Sequence, residues 1–297
     1  MLGQTKFATD GEICDKVELA IKRLKAFEPE EGYYLAFSGG KDSLCVYHLA
    51  KMAGVKFDAH YNITSVDPPE LVNFIKEKYP DVKRECQHDD EGNPITMWSL
   101  IPEHKMPPTR IVRYCCEKLK ETNGEGRFTV TGVRQAESAN RKRNQGVITV
   151  PVAGKKFKKG LDEMSVNFTQ TPRGGVVLNY DNAENRRMTE HCIRTGKVLL
   201  NPIIDWDDND VWEFLNGNGI EHCCLYDEGY KRLGCIGCPM STAAAAADLA
   251  RYPAYKRNYI RAFDRMIANN KANGIKMQDN WTDGEVVMKW WLMQDES

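Results

Sequence analysis

Two groups of residues have the types and spacing to do chemistry. The first lies in Tyr33-Tyr34-Leu35-Ala36-Phe37-Ser38-Gly39-Gly40-Lys41-Asp42-Ser43. The apolar and aromatic run at 33–37 suits a short interior strand, and two glycines then turn the chain. Leu44, Val46, Tyr47, Leu49 and Ala50 continue with helical character. Glycine lets the backbone approach a ligand closely, and the first amides of a helix have no partner inside it, so they attract an anion. Ser38 and Ser43 add hydroxyls and Lys41 adds a positive charge. Ser38, Gly39, Gly40, Lys41, Asp42 and Ser43 therefore form a candidate phosphate site. Its spacing is not that of the GxxxxGK[ST] loop. The plainer alternative is an ordinary strand–turn–helix corner.

The second group is the cysteines, ten in all. In a chain expected to be cytosolic, that number argues for metal or redox chemistry rather than disulfides. Cys235 and Cys238 form a CxxC with Gly234 and Gly237 beside them, which lets backbone fold round a metal. Either Cys115-Cys116 or Cys223-Cys224 could complete a four-thiolate set. The residues alone do not choose between the two pairs. Adjacent cysteines are awkward ligands for one tetrahedral ion, whereas a cuboidal cluster offers separate iron corners. That favours iron–sulfur over zinc for either set, with free thiols as the plainer alternative.

Arg134 and Arg141 follow a third strand-like run at 128–131 and the turn Gly132-Val133. Arginines placed there can grip phosphate or sulfate through two bonds. Solvated surface charge is the competing reading.

The elements that position these residues are legible from periodicity. A helical stripe spans 10–27, and a second strand spans 55–63. Asp67-Pro68-Pro69-Glu70 starts a helix. Strand–helix–strand–helix order implies a doubly wound, mostly parallel α/β sheet with flanking helices, and ligands bind beyond the strand carboxyl ends in such sheets. Residues 86–108 read as a docked loop anchored by Met97, Trp98, Leu100 and Ile101. Residues 144–189 read as an insertion with short strand-like runs at 147–152 and 176–178. Its basic residues Lys155, Lys156, Lys158, Lys159 and Arg173 suit a solvated loop, with a lid or nucleic-acid contact as the alternative. Asp205-Trp206-Asp207-Asp208 reads as a helix cap serving the scaffold. The division expected is a domain at 1–240 and a helical segment at 241–297, whose aromatic stripe reads as core.

The net charge of -1 gives no general signal for a polyanion partner. There is no long apolar run and no signal-peptide core at 1–14, so the expectation is a cytoplasmic protein without a membrane span.

Taken in order, the motifs resemble the phosphoadenylyl/adenylyl sulfate (PAPS/APS) reductase family of the PP-loop adenine nucleotide α-hydrolase (ATP pyrophosphatase) superfamily. They are residues 38–43, Cys115-Cys116 with Lys120, Gly132 and Arg134 with Glu137-Ser138 and Arg141, Asn201-Pro202 with Asp205-Trp206 and Val211-Trp212, and Gly229-Tyr230 before Cys235 and Cys238. The resemblance covers about 33–240. It implies ATP, APS or PAPS at the loop, with Gly132 nearby and Lys41, Asp42, Ser43, Arg134 and Arg141 acting on the phosphate or sulfate end. Asp42 would hold Mg2+ or orient the loop. In the APS-reducing branch a Cys-Cys pair and a distant CxxC hold a 4Fe-4S cluster beside the substrate. Carried over, that selects Cys115, Cys116, Cys235 and Cys238.

Two departures shape the expected reaction. No cysteine follows Cys238, where the reductases carry a tail nucleophile, and the loop is the intact ATP-pyrophosphatase version. The leading expectation is adenylation of an acceptor with pyrophosphate release in sulfur-transfer chemistry, as in thiolation proteins that share the loop and a cluster. The second is sulfonucleotide reduction to sulfite, with Cys192, Cys223 or Cys224 as nucleophile. The third is a silent nucleotide-binding subunit docking through Trp290 and Trp291. Expected partners are an adenine nucleotide, a sulfur donor or thioredoxin-like reductant, a nucleic-acid acceptor at the basic insertion, and a second copy of the chain.

Overall fold

The computed structural model describes residues 5–6, 13–124, 126–151, 158, 161, 168–172, 174–178, 197–278 and 280–293. Most of the basic insertion (Lys155, Lys156, Lys159 and Arg173 among it), Cys192, and 294–297 lie outside the described residues. The chain groups into two compact units: 1–61, 74–83 and 124–232 form the first, and 62–73, 84–123 and 233–297 form the second.

β1 (Thr5–Lys6) pairs antiparallel with β2 (Ile13–Cys14). An eight-stranded sheet runs in the order β5 (Lys83–Glu85), β4 (Phe57–Asn62), β3 (Tyr33–Ala36), β6 (Phe128–Val130), β10 (Val198–Leu200), β7 (Ile148–Val150), β9 (Val176–Leu178), β8 (Thr169–Gln170). At its centre is β3 (Tyr33–Ala36), parallel to β4 (Phe57–Asn62) and to β6 (Phe128–Val130). β10 (Val198–Leu200) extends the parallel part against β6. Tyr33, Tyr34, Leu35, Phe128 and Val130 are buried, as interior parallel strands require. The insertion supplies β7 (Ile148–Val150), β8 (Thr169–Gln170) and β9 (Val176–Leu178), which add antiparallel to β10. The expected α/β class, with a parallel sheet and flanking helices, is what the structure shows, and the antiparallel edge comes from the inserted segment. β5 (Lys83–Glu85) is the other edge.

α1 (Lys16–Ala26) starts at Asp15, whose carboxylate accepts from Val17 N at 2.7 Å. α2 (Lys41–Ala53) follows β3 and ends at Gly54 with φ 69°, a left-handed conformation that favours glycine. α3 (Pro69–Lys78) begins where the sequence indicates.

The second unit is helical around Met97, Ile101, Tyr259, Phe263, Met266 and Trp291. α4 (Met97–His104) replaces the expected loop at 86–108. Thr96 and Ser99 form a reciprocal cap that starts the helix, and Pro102 inside it had suggested irregular chain. α5 (Tyr114–Cys116) runs into a π-turn at Glu117–Glu121. α6 (Ala139–Asn144) and α7 (Asp208–Gly217) belong to the first unit. α8 (Thr242–Arg251), α9 (Pro253–Ala272) and α10 (Gly284–Leu292) complete the second. Trp291 is buried there and donates to Pro108 O at 2.6 Å. The aromatic stripe is core as expected, which removes Trp291 from the exposed interface of the third reading. No helix among the described residues is long and apolar enough to cross a membrane.

Asp58 on β4 ties the first unit together, accepting from Arg127 Nη1 at 2.9 Å and Lys83 Nζ at 3.0 Å, with His60 also paired to it. Arg127, then Lys83 and His60, hold its carboxyl well below the usual range against the opposing effect of burial. A depressed folded-state pKa contributes stability that is present above the unfolded value of about 3.9 and lost as pH falls. The urea midpoint should therefore drop as pH falls from about 5 toward 3. Asp58→Asn should flatten that drop while lowering the midpoint at neutral pH, and equal slopes in the two proteins would refute the assignment.

Candidate functional site

The loop between β3 and α2 folds as a corner. Gly39 has φ 70°, which only glycine takes without strain. Ser38 N donates to Ser43 Oγ at 3.2 Å, and Ser43 Oγ donates to Gly40 O at 2.9 Å. The two serines thus brace the loop. Lys41 N donates to the Tyr226 hydroxyl at 2.9 Å, while the amides of Asp42 and Ser43 have no acceptor inside the helix.

Side chains from three strand ends meet this corner. Arg134, after β6, is 2% exposed. Its Nε donates to Asp42 Oδ1 at 2.6 Å, its Nη2 to Asp208 Oδ1 at 2.7 Å, and its Nη1 to Trp206 O at 3.3 Å. Burial alone would lower its pKa, but Asp42 and Asp208 outweigh that and raise it. Lys41 Nζ lies 3.0 Å from Asp208 Oδ1 and 3.5 Å from Asp42. Asp208 starts α7 after β10; burial pushes its carboxyl up, but Lys41 and Arg134 outweigh this and hold it low. Arg141 on α6 pairs with Glu137, which also accepts from Arg134 N at 3.1 Å and faces Arg232 at 3.8 Å. Burial lowers the Arg141 pKa, with Asp42 and Arg134 among the charges it feels.

The structure thus brings Lys41, Asp42, Ser43, Arg134 and Arg141 into one neighbourhood. Asp42 is engaged by Arg134, an arrangement that suits orienting the loop. Gly132 packs against α2: a Cβ there would lie 2.8 Å from Asp42 C. Glu137 was read only as part of the motif with Arg134 and Arg141, and Asp208, Tyr226 and Arg232 were not singled out as site residues. The only local signal for Asp208 was its place in a helix-cap motif.

The cysteines divide by unit. Cys115, Cys116, Cys235 and Cys238 all belong to the second, whereas Cys223, buried, and Cys224, exposed, belong to the first. The first four sense one another: Cys116, burial, Cys235 and Cys238 all push the Cys115 thiol up. Cys116 is the acidic member of its pair, because Cys115 donates to it and Arg113 and Lys120 lie nearby. Cys235 Sγ is 3.7 Å from Thr64 Oγ1, and burial raises its pKa. The Lys120 ammonium bonds to Cys235, and Cys235 and Asp67 raise its pKa against the opposing effect of burial. Lys120 is exposed, and all four cysteines are partly exposed. Among the described residues, no three His, Cys, Asp or Glu side chains converge closely enough to hold a single metal ion.

The sequence profile of the phosphoadenosine phosphosulfate reductase domain matches residues 32–241. The chain belongs to this family. The phosphoadenosine phosphosulfate reductase domain therefore includes the corner, both arginines and every cysteine considered as a ligand. An uncharacterised protein of Methanocaldococcus jannaschii is 23% identical over 269 residues, which cover 88% of this chain and 51% of that protein. An adenosine 5'-phosphosulfate reductase of Oceanobacillus iheyensis is 43% identical over 45 residues, 15% of this chain and 19% of that protein. The chain thus spans about half the length, or less, of these curated relatives. Among solved structures, a PAPS reductase from Candida auris in a phosphate complex aligns with a TM-score of 0.39 and 13% identity, covering 78% of this chain and 98% of that one. The U34-tRNA thiolase NcsA from Methanococcus maripaludis, with its 4Fe-4S cluster, aligns with a TM-score of 0.33 and 10% identity, covering 94% and 87%. Likeness at these scores carries no argument about the chemistry of this domain.

Gly132→Ala should cost roughly 1–3 kcal/mol, because the added methyl meets backbone and not a flexible side-chain end. Urea denaturation checks this, and an unchanged midpoint would show that the first turn of α2 can shift freely.

Proposed function

We propose that this protein binds ATP, or a related adenylyl nucleotide, at the corner 38–43 and adenylates an acceptor with release of pyrophosphate, in sulfur-transfer chemistry that uses a 4Fe-4S cluster. The observation that carries the nucleotide reading is the convergence of buried Lys41 and Arg134 on the helix start that follows Gly39 and Gly40. Ser38, Gly39, Gly40 and Ser43 would hold phosphate through backbone and hydroxyl donors. Lys41 would neutralise charge that grows on the departing pyrophosphate, and Arg134 and Arg141 would orient the phosphate chain. A Mg2+ ion would travel with the nucleotide. Cys115, Cys116, Cys235 and Cys238 would hold the cluster, which would supply electron transfer or an iron site for sulfur, with Lys120 balancing its charge.

The test is pyrophosphate release from cluster-loaded protein given Mg2+, ATP and candidate acceptors. Release should depend on all three, and Lys41→Ala should slow it roughly 100- to 1,000-fold. A folded, loaded sample that releases none would refute the reaction. Anaerobic preparation should give about four iron and four sulfide per chain, sharply reduced in Cys235→Ser. Zinc in place of iron would overturn the cluster.

The family match favours a second reading, reduction of APS or PAPS to sulfite. Its nucleophile would be Cys224, the exposed thiol among the described candidates. Sulfite formed from APS with thioredoxin, and lost in Cys224→Ser with the cluster intact, would decide for it.

A further inference from the structure

Asp208 does no work for its own helix. Asp207 caps α7 by accepting from Asn209 N at 2.8 Å and Asp210 N at 3.0 Å, and Asp210 returns the bond by accepting from Asp207 N at 2.7 Å. The Asp208 carboxylate points instead to Lys41 Nζ and Arg134 Nη2, at 3.0 and 2.7 Å. The three side chains differ sharply in exposure: Asp208 is 71% open, Lys41 6% and Arg134 2%. An exposed carboxylate is therefore the outermost partner of two buried cations at the mouth of the corner. Asp42, the inner carboxylate, is 23% exposed and bonded to Arg134 Nε.

We infer that Asp208 is a resident stand-in for phosphate: it holds Lys41 and Arg134 in place while the corner is empty, and the nucleotide's phosphates displace it. This rests on the nucleotide reading above. Asp208 can leave because water solvates its exposed carboxylate at little cost and the arriving phosphate takes over its bonds to Lys41 and Arg134. Asp42 cannot, because its departure would strand a buried guanidinium. The negative charge that holds the site in shape also competes with the ligand, so Asp208 sets how much anionic charge a ligand must bring. It is a positioning residue, acting through Lys41 and Arg134.

Calorimetric titration with inorganic pyrophosphate at fixed ionic strength, with and without Mg2+, tests this in wild type, Asp208→Asn and Asp208→Glu. Metal-free pyrophosphate should bind Asp208→Asn on the order of three- to tenfold more tightly, and Asp208→Glu like wild type. A purely structural residue would give weaker binding on removal, so a gain is specific to the stand-in role. Unchanged or weaker binding by Asp208→Asn, with wild-type binding intact, would overturn this inference alone. Weakening seen only with Mg2+ would make Asp208 a cation ligand and also overturn it. Wild type that binds neither pyrophosphate nor ATP would sink the nucleotide reading itself. Asp208→Ala serves as a second variant, since the aspartate makes no capping bond.

Discussion

The guanidinium of Arg134 is the group on which the corner depends. A buried charge is tolerable only when nearly all of its donors are met, and removing one partner leaves a costly orphan. Asp42, Asp208 and the carbonyl of Trp206 meet the three nitrogens of Arg134. Because Asp42 sits in the first turn of α2, this ion pair fixes the helix start to the end of β6. Gly132 allows the same approach sterically, since any Cβ would enter the Asp42 backbone. The loop is thus held from behind by an ion pair and by a missing side chain. The amides of Asp42 and Ser43 have no acceptor inside the helix, and Lys41 Nζ is held by Asp208.

Parallel pairing explains why these residues meet at all. β3, β6 and β10 are parallel neighbours, so the segments that leave them emerge at the same end of the sheet. From β3 comes the corner, from β6 come Gly132 and Arg134, and from β10 come Trp206 and Asp208. An antiparallel order would have sent alternate segments to opposite ends. The antiparallel strands β7 and β9 lie beyond β10 in the sheet and extend its edge.

Much of this was legible in the sequence because it was local. The apolar run at 33–37, the double glycine and the helical stripe that follows report on one corner, and that corner formed. Strand-like runs at 147–152 and 176–178 contain β7 and β9 because buried β-branched residues advertise themselves without context. Asp208 was missed for the opposite reason. Its partners lie 74 and more residues away, and its local surroundings carry a sufficient explanation as a cap, which Asp207 in fact provides. Tyr226 was missed likewise, since a hydroxyl accepting from Lys41 N across 185 residues leaves no periodic trace. α4 was hidden by Pro102, although Thr96 and Ser99 form a cap that outweighs one proline in the first turns.

The cysteines show how far charge logic reaches when spacing runs out. Four thiolates on an iron–sulfur core leave a net negative charge, which hydrogen bonds and nearby cations offset. Spacing allowed either adjacent pair to join Cys235 and Cys238. The surroundings do not treat the pairs alike. Cys116 lies beside Arg113 and Lys120, and the Lys120 ammonium reaches Cys235 as well. The π-turn at Glu117–Glu121 is the local device that carries Lys120, because the wider turn departs from the register an α-helix would impose. Desolvation opposes the charge on Lys120, and Cys235 and Asp67 raise its pKa against it.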